Sequence, residues 1–186
     1  MLPEPMARFA LSMMDEIATG AGIITVNRAV ESQLEEVLAV LDSAAHWLAS
    51  KGINDPWHPG EWPRVRITES IERGEVHLAK LGQQNVATIT LQWSDELFWP
   101  NYLADAGYIH RLAVATGFHG RKIGSGLLHW AELKTREKEK KYVRLNCMAA
   151  NPVLRQYYER AGFICRGELR EPRGLACLYE KTLSPS

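Results

Sequence analysis

The sequence predicts an α/β fold built on a sheet of mixed strand direction. Three features of its 186 residues carry that expectation. Tyr108–Val114 has a strand pattern, a glycine-rich turn leads into an amphipathic stretch over 124–138, and Tyr142–Cys147 returns as a strand, so a helix-length crossover joins parallel neighbours. The polar turn Gly82–Asn85 separates two β-patterned stretches, which reads as a hairpin. Two further strands, 163–169 and 175–182, surround the turn Pro172-Arg-Gly174.

Taken in order, residues 1–20 read as an N-terminal extension carrying a short helix, because Met6–Met14 is too short for a secretory core and runs into Asp15 and Glu16. A single domain over 21–186 follows, its first strand the β-branched run Ile23–Val26. From Glu31 to Leu48, the residues Leu34, Val37, Leu38, Leu41, Ala45 and Leu48 recur at helical spacing. Glu31, Glu35 and Glu36 sit toward the positive end of that helix, and Gly52 ends it. Residues 52–63 set Trp57, His58 and Trp62 among three prolines, a loop with unusual aromatic mass that is placed to line a pocket. One or two helical turns over 66–73 precede the strand Glu75–Leu81, which has one slip of register, and Val86–Trp93 completes the hairpin. The stretch 94–107 carries Asp95, Glu96, Phe98, Trp99 and Tyr102 and is longer than most connections, a kind of loop that often bears function. After the 142–147 strand, a second helix spans about 152–161 and stops at Gly162.

Lysine plus arginine (22) balance aspartate plus glutamate (22), so no general electrostatic pull toward nucleic acid or an anionic membrane exists. No stretch approaches the roughly 18 consecutive apolar residues of a membrane-spanning helix. Cys147, Cys165 and Cys177 sit in apolar runs without metal-ligand spacing, which predicts buried free thiols in a cytoplasmic protein that uses no metal. This neutrality fits a small-molecule partner or a peptide or protein one alike; a homodimer is left open.

The turn Phe118-His-Gly-Arg-Lys-Ile-Gly-Ser-Gly-Leu-Leu128 lies between a strand and a helix. Amides at a helix start lack intrahelical acceptors and lie at the positive end of its dipole, so they suit an anion such as a pyrophosphate. Gly120, Gly124 and Gly126 let the backbone approach closely. An ordinary strand-to-helix turn has the same look. A Walker loop is absent, and a nucleotide-binding turn usually comes early in a βαβ series, whereas this one lies two-thirds along the chain.

The segment resembles the phosphate loop of the GNAT superfamily of acetyltransferases, Gln/Arg-x-x-Gly-x-Gly/Ala after a strand ending Leu-x-Val. Two registers fit: Arg121 to Gly126 literally, and His119 to Gly124 when counted from Val114, and the second is preferred. In it His119 stands for Gln or Arg, Lys122 for the first glycine, and Gly124 is kept. Downstream, Asn151-Pro-Val-Leu-Arg-Gln-Tyr-Tyr158-Glu-Arg-Ala-Gly-Phe163 is similar to the family's Asn-x-x-Ala-x-x-x-Tyr-x-x-x-Gly-Phe helix. The resemblance implies a GNAT-like mixed, mostly antiparallel sheet with a central parallel pair, flanked by helices. It implies acetyl-CoA as co-substrate, held by the backbone of Leu112, Ala113 and Val114, by His119, Gly120, Arg121, Lys122, Ile123, Gly124, Ser125 and Gly126, and by Asn151 and Tyr158. Asn151 equally serves as a helix N-cap.

Direct attack of an amine on a thioester needs a base, an oxyanion donor and an acid for the departing thiolate. Strand alternation puts Tyr108, His110, Leu112 and Val114 on one face. The Tyr-x-His-x-Leu-x-Val pattern resembles the His-x-His-x-Leu-x-Val strand of arylalkylamine N-acetyltransferases, which implies His110 as base; a strand histidine is otherwise a hydrogen-bonded structural residue. Glu96 and Asp95 are rival bases or solvated charges, solvation being favoured for both. Family spacing selects Tyr158 as acid over Tyr157, read as a core residue. Trp57, Trp62, Trp93, Phe98 and Trp99 are the expected acceptor-pocket walls, suited to an aromatic or cationic amine, although tryptophans so placed serve as often in core or lid packing. The expected reaction is acetylation of a small-molecule primary amine. A peptide or protein amine is the variant within the class, and a non-catalytic acyl-CoA-binding regulatory module is the rival outside it.

Overall fold

The computed structural model describes residues 15–53, 56–100 and 102–184. Eight strands are hydrogen-bonded in the order β1-β2-β3-β4-β5-β6-β8-β7. They are β1 (Asp15–Thr19), β2 (Gly22–Arg28), β3 (Val76–Leu81), β4 (Gln84–Gln92), β5 (Ala106–Val114), β6 (Tyr142–Met148), β7 (Ile164–Glu171) and β8 (Gly174–Thr182). Every neighbouring pair is antiparallel except β5 and β6, which the crossover helix makes parallel. The helices are α1 (Leu34–Ser50), α2 (Arg64–Glu72), α3 (Ile123–Glu137) and α4 (Pro152–Arg160). The fold is thus the expected mixed, mostly antiparallel α/β sheet flanked by helices.

Both faces of the sheet are covered because two helical stripes need burial. In α3, Ile123, Leu127, Leu128 and Ala131 are at most 2% exposed and pack against Ile109, Val143 and Leu145; fully burying one such aliphatic side chain contributes about 1.5–3 kcal/mol. On the other face α1 lays Val37, Leu38, Leu41 and Ala44 on Val76, Leu78 and Ala113, together with Ile67 and Ile71 of α2. Phe98 and Trp99 form a third cluster with Tyr108 and Leu178.

Three expectations change and one holds. The helix placed within residues 1–20 gives way, where the structure describes it, to β1: Ile17 packs toward the α3 core, and Asp15 takes the indole N–H of Trp130 at 2.9 Å and Lys134 at 2.9 Å. Met6–Met14 lies outside the described residues. Cys147 and Cys177 are buried, but Cys165 is exposed, because it lies on β7, an edge strand exposed over most of its length. The strand Glu75–Leu81 does slip register, at Ala79/Lys80. Finally, strict alternation fails along β5. Thr88 pairs Ala113 while Thr90 pairs His110, so Ile89 faces two residues, a β-bulge, and Arg111 has φ 46°. Leu112 and Val114 therefore share the face of Ile109 against α3, opposite Tyr108 and Ala113.

Candidate active site

The bulge opens the sheet. β5 and β6 pair only from Ala106/Tyr142 to Ile109/Leu145. Beyond that point β6 stays in register with β8 through Met148 and Ala176, while the bulge bends β5 away. Residues 110–114 and 146–148 become the two lips of a seam that opens into a cavity of ≈ 1430 Å³. A single ligand pocket occupies roughly 300–1,000 Å³; this space admits two ligands together. The β6-facing backbone of Leu112, Ala113 and Val114 is left free for an extended ligand to join as a strand.

At the far end of the seam α3 begins. Its N-cap Lys122 has φ 60° and ψ 15°, a left-handed conformation that glycine adopts at least cost. This accounts for the family's glycine at that position and supports the register running from His119 to Gly124. Among the described residues the amides of Ile123, Gly124 and Ser125 find no backbone acceptor, and Gly126 N–H is the first to do so, at 3.0 Å from the Lys122 carbonyl. Three donors thus converge at the positive end of a helix dipole, with Lys122 beside them. His119 stacks flat on Trp47, with centroids 3.9 Å apart and planes 10° apart. Thr116 fixes that stack by bonding the Ser43 hydroxyl (2.9 Å) and carbonyl (2.8 Å), which ties α1 to the turn. Burial pushes the His119 imidazole below its ordinary value, so charge at the cradle comes from Lys122 and the helix end.

Two expected loop residues face elsewhere. Arg121 gives its carbonyl to Gly20 N–H (2.9 Å) and lays its guanidinium over Phe118. At Gly126 a Cβ would come 3.0 Å from Ile17, so this glycine admits β1. Gly120, Gly124 and Ser125 line the cavity, although the Ser125 hydroxyl is turned onto the Lys122 carbonyl at 3.0 Å.

The bulge end of the seam holds His110. Its Nε2 lies 3.0 Å from Oδ2 of Asp95, a contact off the direction of a linear hydrogen bond, with side chains 16% and 6% exposed. Asp95 is therefore not the solvated charge expected. Its Oδ1 accepts the Phe98 amide at 3.2 Å, which shapes the 94–105 loop so that the carboxylate meets His110. Glu96 is exposed and off the cavity wall.

Tyr158, 6% exposed, lines the cavity and packs on Phe163 and Tyr179. Tyr157 also lines it, with its hydroxyl against Gly124, and burial pushes its phenol up to about 12, so it keeps its proton. The core role expected for Tyr157 thus gives way to a half-buried place on the wall. Asn151 is the N-cap of α4, accepting Leu154 N–H at 3.0 Å, and also lines the cavity. Of the five aromatic residues expected to bound an acceptor, Trp57, Trp62 and Phe98 line the cavity. Trp93 instead packs on the core beneath Lys140, and Trp99 stacks beside the buried Arg144 guanidinium, 5.3 Å from its ring. Asp42 holds the tryptophan loop by accepting from Gly60 N–H (2.8 Å) and the Trp62 indole (2.5 Å).

A parallel pair split by a bulge, with a helix N-terminus at one end of the split and a histidine–aspartate pair at the other, is a site for an extended ligand ending in an anion. The model of the acetyltransferase (GNAT) family matches residues 41–163, and the chain belongs to that family. It is an acetyl-CoA-dependent N-acetyltransferase. It is 31% identical over 147 residues to the N-acetyltransferase YesJ of Bacillus subtilis (strain 168), which covers 73% of this chain and 78% of the relative. A GNAT-family acetyltransferase from Listeria monocytogenes 4b F2365 shares 26% identity and superposes with a TM-score of 0.76 over 91% of this chain and 100% of that one. The PaiA N-acetyltransferase of Thermoplasma acidophilum, solved in complex with coenzyme A, has the same fold at 19% identity, with a TM-score of 0.67 over 86% of this chain and 99% of that one. Among the described residues no helix is long and apolar enough to cross a membrane.

Proposed function

We propose that the acceptor is the primary amine of a small molecule and that His110 is the base and Tyr158 the acid of direct acetyl transfer. The observation that carries this reading is the Asp95–His110 contact at the bulge, where the lips of the seam part. Acetyl-CoA supplies an activated acetyl thioester; the Ile123, Gly124 and Ser125 amides suit its diphosphate, and the free edge of Leu112 to Val114 suits its pantetheine arm. Asp95 beside Nε2 keeps a proton on that nitrogen, which leaves Nδ1 as the accepting atom for the ammonium proton. The Tyr158 phenol gives its proton to the leaving sulfur, and an amide at the bulge faces the developing oxyanion. A small acceptor is favoured over a protein one because Trp57 and Trp62, in edge contact at 5.3 Å, wall the acceptor side of the cavity.

Thiol release from acetyl-CoA across a panel of amines tests the reading. Tyr158→Phe should lower kcat about 100-fold or more with little change in KM, and Tyr157→Phe should stay within about threefold of wild type. The reversed ranking would reassign the acid, and binding of coenzyme A without turnover of any amine would favour a regulatory module.

A further inference from the structure

The cavity wall carries a cation that this mechanism does not use. Arg111 is the bulged residue of β5, held at φ 46°, a conformation that costs a non-glycine residue free energy and so marks a constrained position. Its side chain is half-buried, lines the cavity and makes no hydrogen bond or ion pair with any described residue. Three of the acids nearby are engaged. Glu75 is held by Arg73 (3.0 and 3.1 Å) and Gln92 (2.8 Å), Asp95 by His110, and Glu171 lies 3.7 Å from Arg173. Burial lowers the Arg111 pKa, and the like charges of Arg66 and Arg173 add to that, with Glu75 offsetting part of it. A guanidinium carries five N–H donors, and burying it without acceptors is unfavourable unless a ligand supplies them.

We propose that the acceptor carries a carboxylate as well as its amine, and that Arg111 binds this carboxylate through its two-pronged face, with Arg66 and Arg173 supplying supporting positive potential. This rests on the acetyl-transfer reading and narrows it to compounds of the amino-acid class. His110 and Arg111 are consecutive and both line the cavity, so an amine and a carboxylate a few bonds apart reach both. Glu61, Glu69, Asp95 and Glu171 on the same walls offset part of the positive charge, which suits a monoanion better than a phosphate dianion.

The test compares the standard amino acids with their carboxamides and decarboxylated amines in acetyl-CoA thiol release, using wild type, Arg111→Asn and Arg111→Lys. Asparagine tolerates the left-handed backbone, and thermal melts check that each variant is folded. The expected result is a kcat/KM at least about tenfold higher for acids than for their amides. That ratio collapses toward one in Arg111→Asn and is partly kept in Arg111→Lys. Calorimetry on the coenzyme A-loaded protein gives a readout without turnover: N-acetyl amino acids bind wild type, and their amides bind at least tenfold more weakly. Equal handling of acids and amides by wild type overturns the proposal, as does an Arg111→Asn effect that is the same on both. Binding of coenzyme A with no binding or turnover of any amino acid overturns the carboxylate site and leaves acetyl transfer standing. Failure to bind coenzyme A overturns both.

Discussion

Replacing Asp95 with asparagine isolates the base. The substitution preserves shape, and its carbonyl oxygen still accepts the Phe98 amide, so the loop keeps its turn and stability should change by no more than about 1 kcal/mol. What changes lies 3.0 Å from His110 Nε2, where an acceptor oxygen becomes an NH2 donor. Donation from that amide places the lone pair on Nε2 and the proton on Nδ1, the tautomer that cannot take a proton from the amine. General-base assistance contributes typically 10²–10⁴-fold, or about 2.7–5.4 kcal/mol at 1.36 kcal/mol per decade, and Asp95→Asn should forfeit most of it. Steady-state thiol release with saturating acetyl-CoA measures the loss against His110→Gln and the double variant. If the two residues act as one unit, the double variant is no slower than His110→Gln alone. Losses that multiply, or an Asp95→Asn kcat/KM within threefold of wild type, would refute the pairing. Glu96→Gln, exposed and away from the cavity, serves as the unaffected control.

Lys122→Gly should leave stability unchanged or higher, while Lys122→Val, β-branched at φ 60°, should cost about 1–2 kcal/mol; denaturant midpoints decide. Burial drives the His77 imidazole down to about 4 from an ordinary 6.5, with Arg28 and Lys134 assisting and the Glu75 carbonyl and Asp15 opposing. The unfolded chain therefore binds a proton before the folded one does. Stability is full above pH 6.5 and falls by up to about 3 kcal/mol as pH drops toward 4, and His77→Phe should flatten that slope in pH-dependent melts. At Gly107 a Cβ would overlap the Thr135 hydroxyl and come 3.2 Å from Leu91, so Gly107→Ala should cost about 1–3 kcal/mol. Adding Thr135→Ala should recover part of that cost, and a purely additive cycle would show that the contact is not the cause.

The helices and inner strands were legible because each repeats its apolar residues at one period over many positions, as Val37, Leu41 and Ala44 do on α1. β1 was not, since five residues beginning Asp-Glu offer too short a period to stand out, and Ile17 gains its meaning only from the bare backbone of Gly126. The cofactor side of the site could be read from Gly124, Asn151 and Tyr158, whose spacing is local. The acceptor side depends on tertiary geometry. Asp95 meets His110 only because the loop turns on Phe98, Trp47 reaches His119 only through the Ser43–Thr116 bonds, and the positive φ of Arg111 has no compositional mark. An arginine after His110 inside a mainly apolar strand was the signal available, and alternation alone assigned its neighbours to the wrong face.

β8 lies between β6 and β7, giving β6 seven paired residues and β7 its one neighbour in the sheet. During synthesis, residues 174–182 leave the ribosome after the other elements, at about 5–20 residues per second. Until they arrive, β6 has within the sheet only its four pairs with β5, and β7 has no strand to pair with. A nascent chain can therefore assemble its helix-covered N-terminal half early, yet acquires a firm second lip for coenzyme A, and with it activity, only once β8 has emerged.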